Sequence, residues 1–223
     1  MAIRLEKGQR INLEKEDGAL RQFCVGCNWG AITHARKGLL GLLNRQVSQD
    51  VDLDLSCVAL DASGKIRDYI YSPEYRKDFL ASQGFAPGKL GTADGALRHS
   101  GDDRKGDQGG DDGLDNEIIT VNLDAVDPAI EQIFFFLNNV GQEDFSQIPY
   151  ASIRMYEGTP DAVKEIFAGY DVAATPAFAG KRALIMGKLY RRDGKWRFAA
   201  IGDATEDANL CETMRRIETS YAR

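Results

Sequence analysis

Histidine is nearly missing from this chain. His34 and His99 are the only two among 223 residues, too few imidazoles for a His-rich zinc site, and no H-E-x-x-H occurs. Cysteine is also sparse, and four in a chain of this length do not make a disulfide framework. Cys24 and Cys27 form a C-x-x-C. Zinc would need a second ligand pair where only His34 offers itself, and a redox pair belongs at the start of a helix after a strand. Both are therefore read as small, buried strand residues. No apolar run is long enough to span a bilayer, and the opening MAIRLEKGQRINLEKEDG has no apolar signal core. The cytoplasm is the expected compartment. Positive charge is in deficit, with 28 Lys and Arg against 34 Asp and Glu and a net charge of -6. That balance argues against a nucleic-acid partner, since phosphate binding needs a basic patch. There is no P-loop, no G-x-S-x-G, no linker and no internal repeat, so residues 1–223 are read as one domain.

Acidic residues are abundant, and they are bunched. The stretch RHSGDDRKGDQGGDDGLDNEIIT carries Asp102, Asp103, Asp107, Asp111, Asp112, Asp115 and Glu117, with Gly101, Gly106, Gly109, Gly110 and Gly113 between them. Glycine lets the backbone turn tightly enough for such carboxylates to converge. Hard oxygens on a flexible loop suit Ca²⁺, though a solvated acidic loop has the same composition. A second acidic cluster lies in QDVDLDLSCVAL. Asp50, Asp52, Asp54 and Ser56 alternate there with Val51, Leu53, Leu55 and Cys57, as on the two faces of a strand. An EF-hand loop would need Gly where Leu55 stands and a glutamate at its twelfth position, so that reading fails. Three aspartates on one strand face are costly if buried unpaired, and two acidic clusters in one chain make a shared cation site plausible.

The rest of the chain reads as many short strands. Residues 2–14 give a strand, a Lys7-Gly8 turn and a second strand, and FCVGCNW is a buried strand. Lys65 to Tyr71, Glu117 to Leu123, Ile130 to Val140 and Tyr150 to Glu157 follow. Asp193-Gly194 between two apolar runs marks a tight hairpin. Residues 74–97 are a loop or short helix, and Asn209 to Tyr221 is a helix with Leu210, Met214 and Ile217 inward. Residues 31–47, where Leu39, Leu40, Leu42 and Leu43 follow His34, Arg36 and Lys37, suit an amphipathic helix or a hairpin-like insertion. Such a segment can fold back on the domain or touch a membrane or partner. Val163, Ile166, Phe167 and Tyr170 stand at helical spacing. The strand count points to a mainly β fold, a β-sandwich of two sheets with a few short helices.

VDLDLSC, HSGDD…GDQGGDDGLDNEIITVNL, IPYASIRMYE and LIMGKLYRRDGKWRFAAIG, in that order, closely resemble the tellurium-resistance TerD family, as do MAIRLEKGQRINLEK and FCVGCNWG near the start. The resemblance covers nearly the whole chain. It implies a sandwich with metal-binding loops at one end that holds Ca²⁺, in two ions, and a role in tellurite resistance and bacterial stress response through protein partners, some of them at membranes. By position the implied ligands are Asp50, Asp52 and Asp54 of the acidic strand, and Asp102, Asp103 and Gly106 at the loop start. The acidic pair falls either on Asp111 and Asp112 or on Asp115 with Glu117. The resemblance also makes 167–172 a strand, against the helical spacing, and is preferred there. Asp54, deepest along its strand, is expected to matter most, and Asp107, between Gly106 and Gln108, is read as solvated. The competing functions are a metal-assisted hydrolase, with His99 beside the loop as an acid or base, and a small-molecule binder. The chain lacks a convincing phosphate cradle, and an acidic site repels anions such as tellurite.

Overall fold

The computed structural model describes residues 3–4, 8–15, 18–37, 44–172 and 176–222. The chain begins with β1 (Ile3–Arg4), β2 (Arg10–Asn12), β3 (Glu14–Lys15) and β4 (Gly18–Ala19), then β5 (Gln22–Trp29), β6 (Ile32–Lys37) and β7 (Asn44–Gln49). Next come β8 (Leu53–Asp61), β9 (Ile66–Ile70), helix α1 (Lys77–Ser82), β10 (Leu97–His99), β11 (Glu117–Asn122) and β12 (Ile130–Asn139). It closes with β13 (Ala151–Thr159), β14 (Ala162–Asp171), β15 (Ala183–Arg192), β16 (Lys195–Thr205) and α2 (Leu210–Arg216). Two six-stranded sheets result, in the orders β1-β14-β13-β5-β11-β10 and β2-β16-β15-β12-β8-β9. All their neighbours are antiparallel except β1 with β14. Among the described residues no helix is long and apolar enough to cross a membrane.

The sandwich follows from alternation. Val25 and Cys27 of β5, Ile119 of β11 and Ile153 of β13 face Leu55 and Cys57 of β8, Phe135 of β12 and Met186 of β15, forming one apolar core between the sheets. The other face of β8 and β12 presents Val58, Leu60, Phe134 and Phe136. Leu210, Met214 and Ile217 from the C-terminal helix cover it, with Tyr75 and Leu80. The three consecutive phenylalanines are buried because both faces of β12 are covered. The Asp193-Gly194 hairpin forms as expected, with φ of 54° and 71°. The C-x-x-C lies along β5, so Cys24 and Cys27 project to opposite faces and belong to different clusters. They cannot share a disulfide or a metal, in line with their reading as strand residues.

One expectation needs correction, and two alternatives are decided. The acidic strand starts at Leu53, so Asp50 and Asp52 precede it, and Gln49 ends β7. Residues 162–171 are a strand, as the family resemblance implied, despite the helical spacing. The cause is visible in the register with β13. Met155 pairs with Ala168 and Tyr156 with Ile166, skipping Phe167; Glu157 pairs with Glu165 and Gly158 with Val163, skipping Lys164. Each bulge adds a residue and turns period two into spacings of three and four. Finally, β6 and β7 pair as a hairpin that joins neither large sheet, which rules out a helix over 32–37 and 44–49. The leucines between them, like Lys7, lie outside the described residues.

Trp29 closes β5 and ties it to the acidic segment, because its indole N–H donates to the Val51 carbonyl at 2.8 Å in a fully buried position. Trp29→Phe should cost about 1–3 kcal/mol through the carbonyl left unpaired. Denaturant titration checks this, and a midpoint unchanged at constant slope would show the bond to be dispensable.

Candidate metal centre

The open end of the sandwich, where β8 begins and the 100–116 loop crosses, gathers most of the acidic side chains. Asp54 stands at the start of β8 on the face away from the central core, yet is only 3% exposed. Asp52 precedes it and Asp102 approaches from the loop, so that one oxygen from each lies within 4.8 Å of the others. Asp52 Oδ1 and Asp102 Oδ1 are buried without a hydrogen-bond partner. Asp52 Oδ2 lies 3.6 Å from the largely exposed Arg104. Burial, and then the Asp102 carboxylate, push Asp52 up to about 6. Asp54 is raised well above the ordinary range by burial first, then by Glu117, Asp52 and Asp102. A cleft of about 250 Å³ opens over this group, bordered by Ser72, Glu74, Tyr75 and Arg76.

Glu117 lies beneath it, 1% exposed. Its Oε2 accepts from Leu55 N at 2.6 Å and its Oε1 from Asp103 N at 3.1 Å, so one side chain joins β11, β8 and the loop. The His99 side chain is also buried. Gly101 N donates to its Nδ1 at 3.0 Å, which places the ring hydrogen on Nε2, and Nε2 donates to Leu55 O at 3.0 Å. The imidazole is therefore neutral, and its 3.4 Å approach to Glu117 is not an ion pair. Burial lowers its pKa. With both nitrogens engaged in structure, His99 is not an available acid or base.

A second group forms further along the loop, where Asp107, Asp111 and Asp112 also bring one oxygen each within 4.8 Å. Asp107 is not simply solvated. Its backbone N donates to Trp29 O and its O accepts from Ala31 N; its carboxylate accepts from Tyr150 OH at 2.8 Å and Asn116 Nδ2 at 3.1 Å. Nothing in the flanking Gly106 and Gln108 announces these partners, which come from the end of β5, from Tyr150 just before β13 and from the far end of the loop.

The remaining candidates are placed elsewhere. Asp103 Oδ1 accepts from Lys105 N and Gly106 N, shaping the loop. Gly106 has φ +68°, and a Cβ there would fall 2.6 Å from Trp29 Cδ1, so only glycine fits. Asp115 lies flat on Gly26 of β5 and is paired with Arg154 Nε at 2.8 Å, away from both groups. Asp50 is exposed and takes a hydrogen bond from Gln108 at 3.2 Å.

The TerD domain family model matches residues 1–215. The chain belongs to the TerD family. It is 32% identical to tellurium resistance protein TerZ of Serratia marcescens over 99% of this chain and 100% of that one. It is 31% identical to stress response protein SCP2 of Bacillus subtilis over 97% and 99% respectively. A crystal structure of a Streptomyces coelicolor homologue of telluride resistance protein (TerD) superposes with a TM-score of 0.58 at 16% identity, covering 85% of this chain and 92% of that one. This supports the shared fold.

Both acidic groups of this TerD-family chain present carboxylate oxygen alone, the hard donor type that Ca²⁺ takes. The unpartnered oxygens of Asp52 and Asp102 fit a cation, since buried charge without a partner is costly.

A pH dependence follows. Asp52, Asp54 and Glu117 have folded-state pKa values above their unfolded ones, so ionising them destabilises the cation-free fold. That cost is complete above the folded pKa and disappears below about 4. His99 acts oppositely, contributing stability above about 6.5 that is lost on acidification. Asp52, pushed up to about 6, titrates inside the range in which His99 loses its contribution, so Asp52→Asn isolates the carboxylate's share. Below about 4, the depressed carboxylates of Asp94, Asp144 and Asp207 lose their contributions in turn. In chelator, melting temperature should rise from about pH 7.5 to about pH 5, and Asp52→Asn should flatten the rise. A melting temperature that falls throughout this range would contradict the assignment.

Proposed function

We propose that this TerD-family protein binds two Ca²⁺ ions at the open end of its sandwich and acts in a stress or tellurium-resistance response as a binding module. Asp52, Asp54 and Asp102 hold the first ion. Asp107, Asp111 and Asp112 hold the second. The observation that carries the reading is the set of buried, donor-free oxygens on Asp52 and Asp102 beside the 3% exposed Asp54. A divalent cation there neutralises charge that the largely exposed Arg104 compensates only weakly. Glu117 supports the site by fixing the loop against β8, which accounts for both its oxygens. The names of the relatives, tellurium resistance protein and stress response protein, supply the physiological setting. On this reading the ion orders the loop end for a protein partner, at a membrane or in the cytoplasm.

Calorimetric titration of metal-stripped protein tests the proposal. Two sites should appear, and Ca²⁺ should survive a tenfold excess (about ten to one) of Mg²⁺, which demands near-octahedral geometry and keeps its waters. At about a hundred times its Kd, Ca²⁺ should add about 2.7 kcal/mol of stability. Asp54→Ala should abolish one site and Asp107→Ala should weaken the other, with Asp54→Asn intermediate. A melt indifferent to both Ca²⁺ and chelator would refute calcium binding.

A further inference from the structure

Asn28 is a buried amide without an evident structural reason. It sits near the end of β5 among cysteines, glycine and apolar residues, and is 6% exposed. Strand alternation puts it with Cys24 and Gly26 on the face of the sheet turned away from the core. Its Nδ2 donates to Asp111 Oδ1 at 3.0 Å. Its Oδ1 is buried and accepts no hydrogen bond. The donors nearby are committed elsewhere: Asn116 Nδ2 to Asp103 and Asp107, and Tyr150 OH to Asp107. A buried amide oxygen with no donor is costly unless something electropositive meets it.

We propose that Asn28 Oδ1 is a ligand of the cation held by Asp107, Asp111 and Asp112, completing that site as a neutral oxygen donor; this rests on the calcium reading above. Asparagine carbonyl oxygens are ordinary Ca²⁺ ligands. A neutral one adds coordination without placing a fourth charge beside three carboxylates, at a position only 6% exposed. The bond from Nδ2 to Asp111 fixes the rotation of the amide. One side chain thereby steadies a carboxylate ligand and supplies an oxygen of its own.

The rival role is that of a donor which merely holds Asp111, and two substitutions separate the two. Asn28→Ala removes both oxygen and donor; Asn28→Asp keeps an oxygen and removes the donor. In calorimetric titration with Ca²⁺, Asn28→Ala should weaken one of the two sites at least about tenfold and leave the site lost in Asp54→Ala unchanged. Asn28→Asp should keep or tighten the same site, while lowering the melting temperature in chelator because a fourth carboxylate now stands uncompensated. If Asn28→Asp weakens the site as much as Asn28→Ala does, the oxygen is not a ligand. If Asn28→Ala alters neither site, the residue has no part in binding. Terbium luminescence lifetimes in H₂O and D₂O, measured in an Asp54→Ala background, give an independent reading. Asn28→Ala should add one metal-bound water and Asn28→Asp none; an unchanged water count in Asn28→Ala overturns the assignment. A native chain that takes up no Ca²⁺ refutes the calcium reading first, and a native chain with two sites indifferent to Asn28 refutes only this inference.

Discussion

Buried negative charge is the constraint to which the open end of this sandwich is built. A carboxylate taken out of water must find a donor, a cation or a proton. Asp115 finds an arginine, Glu117 finds two backbone N–H groups, and Asp103 finds the amides of its own turn. Asp52, Asp54 and Asp102 face one another, and Asp52 meets the largely exposed Arg104 at 3.6 Å. The loop is held in register by the satisfied carboxylates, and the unsatisfied ones are thereby brought face to face. Glu117 is the pivot, since the β8 amide at Leu55 and the loop amide at Asp103 meet on one side chain.

Much of this was legible from local pattern. Period-two alternation put Val51, Leu53, Leu55 and Cys57 on one face and Asp54 on the other, and all four apolar residues are buried. The Asp-Gly pair located its hairpin because positive φ at two successive residues is a strictly local demand. What failed was whatever depended on a second strand. The two bulges of β14 exist only in its register with β13, so the sequence alone showed a helical period there. The fate of each aspartate was hidden for the same reason. Arg154, which neutralises Asp115, and Tyr150, which engages Asp107, lie 39 and 43 residues from their partners. An acidic loop announces its charge but not which charges the rest of the protein has already answered.

The two acidic groups are also mechanically joined. Trp29 connects them: its indole reaches Val51, one residue before Asp52, and its backbone meets Asp107 and Asn116. The β6–β7 hairpin leaves and re-enters the fold at this junction, where Ala31 donates to Asp107 O and Val51 to Lys105 O. Any ordering of the loop is felt at the root of that hairpin without a separate hinge.

The four cysteines give the fold a chemical temperament. All are free and buried, and burial raises the pKa of each thiol. Oxidants and soft electrophiles attack the thiolate, and only when they can reach it. Here the reactive form is suppressed and the approach is closed, and the C-x-x-C cannot collapse into a bridge because a sheet separates its sulfurs. The folded chain is thus inert toward the very reagents that titrate exposed protein thiols, and its sulfur becomes vulnerable only on unfolding.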